Sequence, residues 1–257
     1  VSWLLTKLKA QRQRARELVK PIIAKRLHDL AEQNQKWDRP NDLIAWLIEA
    51  CPPELRTVPL LTNRLLVVNF VAIHASSMVR RTFWNVIYRL ADNPQWAEPM
   101  REEVERVVAT EGWSKLALAK MRRVDSFIRE TQRIQSISLL SLQRWSMKPF
   151  TFSNAHHGER AAAFNPWRWA DIRQDDAESL KHQMVATGST LLHFGHGKHA
   201  CPGRFFAANE LKGMLAHLVL EYVRFKEGEN RPASLEFGSN IVPTPAQLEF
   251  RKRQGKA

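Results

Sequence analysis

Phe194-Gly195-His196-Gly197-Lys198-His199-Ala200-Cys201-Pro202-Gly203 is the stretch whose reading decides the fold. It sets one cysteine in a glycine-lined loop ahead of a run with helical spacing, Leu211, Met214, Leu215, Leu218, Val219 and Tyr222. Gly195 and Gly197 permit positive φ and let the backbone pass close to a large planar ligand, where side chains would collide. Pro202 suits the first turn of a helix. Cys201 is therefore expected at a helix N-terminus, where the free amides favour the thiolate, the form that binds a metal. Two other readings compete for these residues. Cys201 can be a small buried hydrophobe. Alternatively His193, His196, His199 and Cys201 can form a zinc site, although no second cysteine or Cys-x-x-Cys pair supports it.

The pattern Phe194-x-x-Gly197-x-His199-x-Cys201-x-Gly203 resembles the heme-binding signature of the cytochrome P450 superfamily. The resemblance implies that Cys201 is the axial ligand of heme iron, with Phe194, Gly197, His199 and Gly203 completing the heme-binding loop. An axial thiolate pushes electron density onto iron and favours O–O cleavage, which suits a monooxygenase rather than an oxygen carrier. The family usually has arginine two residues before the cysteine, paired with a heme propionate. Here that position is His199, which can donate a hydrogen bond but whose charge depends on pH.

Upstream, Glu130 and Arg133 are three residues apart on a predicted helix and share one face. Phe164-Asn165-Pro166-Trp167-Arg168-Trp169 resembles the family's segment that brings a second arginine to this pair. The implied role of Glu130, Arg133 and Arg168 is structural: a buried carboxylate between two guanidinium forks can be fully hydrogen-bonded and would lock the substructure that carries the heme loop.

Further upstream, Leu65-Leu66-Val67-Val68-Asn69-Phe70-Val71-Ala72-Ile73-His74-Ala75-Ser76-Ser77 is similar to the central helix that crosses the distal face of the heme, in a form like that of filamentous-fungal members. Ala75 stands where the family usually carries an acid, and Ser76 stands where it carries threonine. Ser76 keeps a hydroxyl near the oxygen site, while Ala75 has no carboxylate to deliver protons. The alternative is that Ser76 and Ser77 bond back to helix carbonyls.

At 257 residues and 44% hydrophobic, the chain can bury one large core or two smaller ones. The formal charge of +13, from 39 basic and 26 acidic residues, invites a nucleic-acid reading. The basic residues are scattered over several predicted helices, and the densest run, 7–20, has no aromatic interleaving or recognised binding pattern. Solvated helix faces are one account. A second, from the resemblance, is an acidic NADPH-cytochrome reductase docking on the cysteine side, steered by Lys198, Arg204 and Lys212. The best hydrophobic run, 65–79, reads as too short to span a membrane and holds Asn69 and His74. No secretory signal peptide opens the chain. Two cysteines provide no disulfide framework, and Cys51 reads as a thiol near a helix end.

The remaining pattern is mostly helical. Residues 1–35 carry an apolar face of Val19, Ile23, Leu27 and Leu30, with a kink or break expected at Pro21. Helices are expected over 42–50, 60–91, 98–110 and 116–135, with Asp92-Asn93-Pro94 and Gly112 as stops. Strands are expected within 137–152 and at 222–225, 235–241 and 247–251. Against the family's pattern, residues 1–257 read as one partial cytochrome P450-like domain. Its membrane anchor, N-terminal sheet and early helices are absent, and a gap falls near 154–155.

The expected fold is therefore mainly α with small β-sheets, a truncated cytochrome P450-like fold. The resemblance implies heme-dependent monooxygenation of a hydrophobic small molecule, with O₂ and reductase-supplied electrons, in fungal secondary metabolism. For the full-length family it implies the cytosolic face of the endoplasmic reticulum membrane, reached through the N-terminal anchor that this chain lacks. The alternatives are a non-catalytic remnant that does not hold heme and a basic helical nucleic-acid-binding module.

Overall fold

Of the kink or break expected at Pro21, the break does not occur: the N-terminal helix α1 (Ser2–Glu32) runs through it. Proline removes one N–H and leaves the carbonyl of Glu17 without its helical partner, but both residues face solvent, where water satisfies that carbonyl. The structure, a computed structural model, describes residues 2–32, 40–137, 162–174, 179–188, 191–220, 222–225, 232–238 and 240–251. The strand expected up to 152 and the gap expected near 154–155 fall outside these residues. The chain divides into two compact units, Val1–His74 and Ala75–Ala257.

In the first unit, α1 and α2 (Leu43–Glu49) enclose a small core of Ile23, Ile48, Cys51 and Leu61. Asp42 holds this corner twice. One carboxylate oxygen caps α2 by accepting the Ala45 N–H at 2.9 Å, and the other accepts Arg26 at 3.0 Å. Cys51 is 1% exposed and belongs to this core.

Helix α3 (Val58–Asp92) is one continuous element of 35 residues and starts ahead of Pro59, which occupies its first turn. It corrects the reading of 65–79 as too short: by length and composition alone, α3 could cross a membrane. The same test is passed by core helices of soluble proteins, so it assigns nothing by itself.

In the second unit, α4 (Ala97–Glu111) ends at Gly112, whose φ of 63° only glycine adopts readily. The single helix expected over 116–135 is two, α5 (Lys115–Lys120) and α6 (Arg122–Ile134), parted at the fully buried Met121. The cause is distant in sequence. Glu103, from α4, accepts the N–H groups of Arg123 at 2.9 and 3.0 Å and of Val124 at 3.1 Å, so its carboxylate caps a new helix start there. Burial pushes the Glu103 carboxyl up, against the amides and Arg123, which pull it down. Glu103→Ala is expected to lower stability by about 1–2 kcal/mol, in the range of a lost helix cap, read as a lower Tm in circular dichroism.

Helix α6 is the centre of this unit. Eight consecutive residues, from Val124 to Thr131, are buried, so every face of the helix is enclosed and its polar side chains need internal partners. Ser126 shows how: its hydroxyl donates to the Pro166 carbonyl at 2.8 Å and accepts the N–H groups of Trp169 and Ala170 at 3.1 Å, which seats the short α7 (Arg168–Ile172) on α6. The last helix, α8 (Arg204–Val219), buries Leu211, Leu215 and Val219 against α4 and α6. It begins two residues beyond Pro202, and Tyr222 lies in a strand rather than on the helix.

Among the described residues, two antiparallel strand pairs follow α8. Strand β1 (Tyr222–Phe225) pairs with β4 (Leu248–Arg251), Tyr222 opposite Arg251. The strand expected over 235–241 is a hairpin, β2 (Leu235–Phe237) and β3 (Asn240–Val242), which turns at Gly238 with φ 58°. Tyr88 of α3 anchors the tail by donating to the Thr244 carbonyl at 2.7 Å and accepting the Ala246 N–H at 3.0 Å.

Candidate functional site

Glu130 lies on α6 with no exposed surface, and all its lone pairs are used. Arg133 grips it with two parallel bonds, Nε to Oε2 at 2.9 Å and Nη2 to Oε1 at 2.8 Å. Arg168 Nε donates at 3.1 and 3.2 Å, the Asn165 N–H at 3.0 Å and Trp169 Nε1 at 3.2 Å. Both guanidinium groups then donate to the Ala163 carbonyl, at 3.1 and 3.0 Å. Burial acts to raise the Glu130 carboxyl. The hydrogen bonds from Arg133, Asn165 and Arg168 and the charge of Arg133 outweigh it, so the carboxyl lies below the usual range. Glu130, Arg133 and Arg168 thus meet in one cluster that fastens 163–169 to α6.

The cysteine loop is held by its backbone. Gly195 and Gly197 take φ of 69° and 64°, and a Cβ built on Gly197 would point into open space. A short 3₁₀ turn, Gly197–His199, follows. The Cys201 N–H donates to the Phe194 carbonyl at 2.7 Å, closing the loop on itself. The Cys201 carbonyl accepts Arg204 Nη1 at 2.9 Å, and Arg204 Nε reaches the Val185 carbonyl at 3.2 Å. Cys201 is a free thiol, partly exposed. A Cβ on Gly203 would lie 3.9 Å from its sulfur.

The three histidines of the loop diverge. His193 Nε2 donates to the Met184 carbonyl at 3.1 Å, His196 Nδ1 meets Thr187 Oγ1 at 3.3 Å, and His199 is exposed. Burial pushes His193 down to about 4, more than its bond to Met184 raises it, so the ring is neutral. Among the described residues, no group of three or more His, Cys, Asp and Glu side chains is placed to hold a metal ion. What the loop does offer is one soft, partly exposed sulfur in a glycine-relaxed turn. That donor fits a group needing a single protein thiolate and room for a flat body, as heme does.

A second buried ion cluster has no counterpart in the sequence reading. Asp125, 3% exposed, accepts Arg173 Nη1 at 3.0 Å and the Met184 N–H at 2.9 Å on one oxygen, and Lys212 Nζ at 2.9 Å on the other. Lys212, expected as a surface steering charge, is 5% exposed and committed to Asp125. Arg204 is committed to the loop carbonyls. Of the three steering residues only Lys198 is exposed. Alongside, Arg129 lies over the Trp169 ring, 4.3 Å from its centroid, and burial holds its guanidinium at about 10, with Asp125 opposing and Arg173 assisting. The available signal was Lys212 itself, a charge inside the apolar pattern of Leu211 and Leu215.

Ser76 lies on an exposed face of α3, next to the exposed Ala75. On the turns before it, Val67, Phe70, Val71 and Ile73 are also exposed, between 54% and 74%.

Comparison with known proteins gives a consistent family. The family model described as cytochrome P450 matches residues 1–157 and 159–250. "Cytochrome P450 monooxygenase 151" of Postia placenta is 41% identical over 94% of this chain and 53% of its own length. "Ent-kaurene oxidase" of Gibberella intermedia is 32% identical over 86% of this chain and 46% of its own. The crystal structure of a cytochrome P450 (CYP102L1) matches with a TM-score of 0.65, covering 98% of this chain and 58% of that one. At 20% identity, that match speaks for the fold alone. The chain spans about half the length of the curated relatives it matches.

Proposed function

The chain belongs to the cytochrome P450 family, and from that premise we propose that it carries the cysteine-bearing part of a heme-thiolate monooxygenase acting on a hydrophobic small molecule. The observation that carries this reading is Cys201: a partly exposed thiol whose N–H is bonded to Phe194 and whose carbonyl is bonded to Arg204. Bound there, heme would supply activation of O₂ with electrons from a reductase, and the thiolate would supply the electron push that favours O–O cleavage. Phe194 and Gly203 shape the loop on either side of the sulfur, and Gly197 keeps it free of a side chain. His199, exposed on the same loop, is the residue available to donate to a propionate. Ser76 is the hydroxyl assigned to the oxygen side. The names of the fungal relatives support oxidative metabolism of small molecules. The partners are O₂ and NADPH-cytochrome reductase, at the cytosolic face of the endoplasmic reticulum as an extension from the family.

Electron accounting tests the reading. Ala75 has no proton to give, and Ser76 stands exposed to water, which dissipates activated oxygen. With hemin, a reductase, NADPH and a panel of apolar substrates, most electrons are expected to appear as peroxide and a minority as hydroxylated product. No heme-dependent NADPH consumption would remove the monooxygenase reading. Tight coupling would show that the helices present suffice to close the site, against the expected uncoupling.

A further inference from the structure

The geometry points to Asp125 as the positioning residue of the Cys201 loop, a role that rests on the heme-thiolate reading of that cysteine. Asp125 and Glu130 sit on one helix, about 140° apart around its axis, and they hold different things. Glu130 is bonded to Arg133, Asn165, Arg168 and Trp169. Asp125 is bonded to Arg173, to the Met184 N–H and to Lys212 of α8.

From Asp125 two routes lead to the cysteine. On the C-terminal side, Lys212 Nζ pins α8, the helix that Cys201 precedes, at 2.9 Å. On the N-terminal side, the Met184 peptide carries the connection. Its N–H is on Asp125 at 2.9 Å, and its carbonyl takes His193 at 3.1 Å. His193 adjoins Phe194, whose carbonyl takes the Cys201 N–H at 2.7 Å. The next carbonyl, of Val185, takes Arg204, which also holds the Cys201 carbonyl. Both backbone polar groups of Cys201 are thus tied to the 184–185 segment, and that segment hangs on Asp125. One buried carboxylate fixes the loop from both ends, through Met184 and through Lys212.

The test uses the full heme-free chain and the alkylation rate of Cys201 by iodoacetamide, with folding followed by circular dichroism. Cys51 is buried, so the partly exposed Cys201 is the reporter. Asp125→Asn leaves two buried cations without their shared counter-charge, and the loop should open more often, raising the rate at least about fivefold under conditions where the chain remains folded. Lys212→Met, which cuts only the link to α8, should raise it by a smaller factor, and it carries the test if Asp125→Asn does not fold. Glu103→Gln is the control, since Glu103 caps α6 and acts on Arg173 only through charge, with no hydrogen bond on either route; its rate should rise far less than that of Asp125→Asn. An unchanged rate in folded Asp125→Asn or Lys212→Met would overturn the assignment. So would an equal rise in Glu103→Gln at matched melting temperature. Loss of the heme reading would appear separately, as a wild-type chain without a thiolate-ligated spectrum but with the same alkylation pattern.

Discussion

Replacing Glu130 by alanine is expected to unfold much of the second unit, because five donors lose one buried acceptor at once. Arg133 and Arg168 would lose their shared buried counter-charge, and the Asn165 N–H and Trp169 Nε1 would lose the carboxylate oxygens to which they donate. Removing one member of a buried ion pair costs about 3–5 kcal/mol, and here two cations share the loss. Against a typical total of roughly 5–15 kcal/mol, denaturant melts should show most of the stability gone. Single replacements of Arg133 or Arg168 should cost less, since each leaves Glu130 one guanidinium and the Trp169 and Asn165 donors. Coincident melts of wild type and Glu130→Ala would sink the claim.

The same carboxylate sets a pH signature with a defined sign. Glu130 lies below the usual range in the folded chain, so the unfolded chain binds more protons; its contribution is present above about pH 4.5 and lost as pH falls through the folded value. Glu103 runs the other way: raised by burial, it favours the folded state at low pH and loses that contribution as pH rises from 4.5 through its folded value. Glu130→Gln should therefore flatten the acid limb of the stability curve, and Glu103→Gln should steepen the rise above it.

What the sequence revealed and what it hid follow from range. The cysteine loop is local: its glycines, cysteine and following helix lie within one short stretch, so spacing alone carries the pattern. The Glu130 pair is also local, three residues apart, and only Arg168 needed a family pattern to find it. Asp125 is different. Its partners Arg173 and Lys212 lie 48 and 87 residues away, and no periodicity connects them. The break at Met121 was hidden for the same reason, since the capping carboxylate comes from Glu103 on another helix. Pro21 does not break α1, because a solvent-facing position lets water replace the lost bond. The hairpin at Gly238 has a local sign, a glycine inside a strand pattern, that alternation over 235–241 alone does not separate from one strand.

Cys201→Ala should give the inverse of the Glu130 result, an unchanged fold with the chemistry removed. The side chain is a partly exposed thiol, and the bonds that shape the loop, to the Phe194 carbonyl and from Arg204, belong to the backbone and survive in alanine. Melting should shift by a few tenths of a kcal/mol, as for a surface substitution. With hemin, dithionite and carbon monoxide, the wild-type chain should show the red-shifted Soret band of thiolate-ligated iron, and the alanine chain should show none of it. Rescue by another sulfur is ruled out by burial, since Cys51 is 1% exposed in the core of the first unit. Histidine could still ligate iron in the variant, from the exposed His199 or His196, but imidazole lacks the charge and softness that move the band. A red-shifted band that persists in Cys201→Ala would place the ligand elsewhere and undo the reading of the loop. A band lost together with the fold would instead mean that the sulfur is part of the packing.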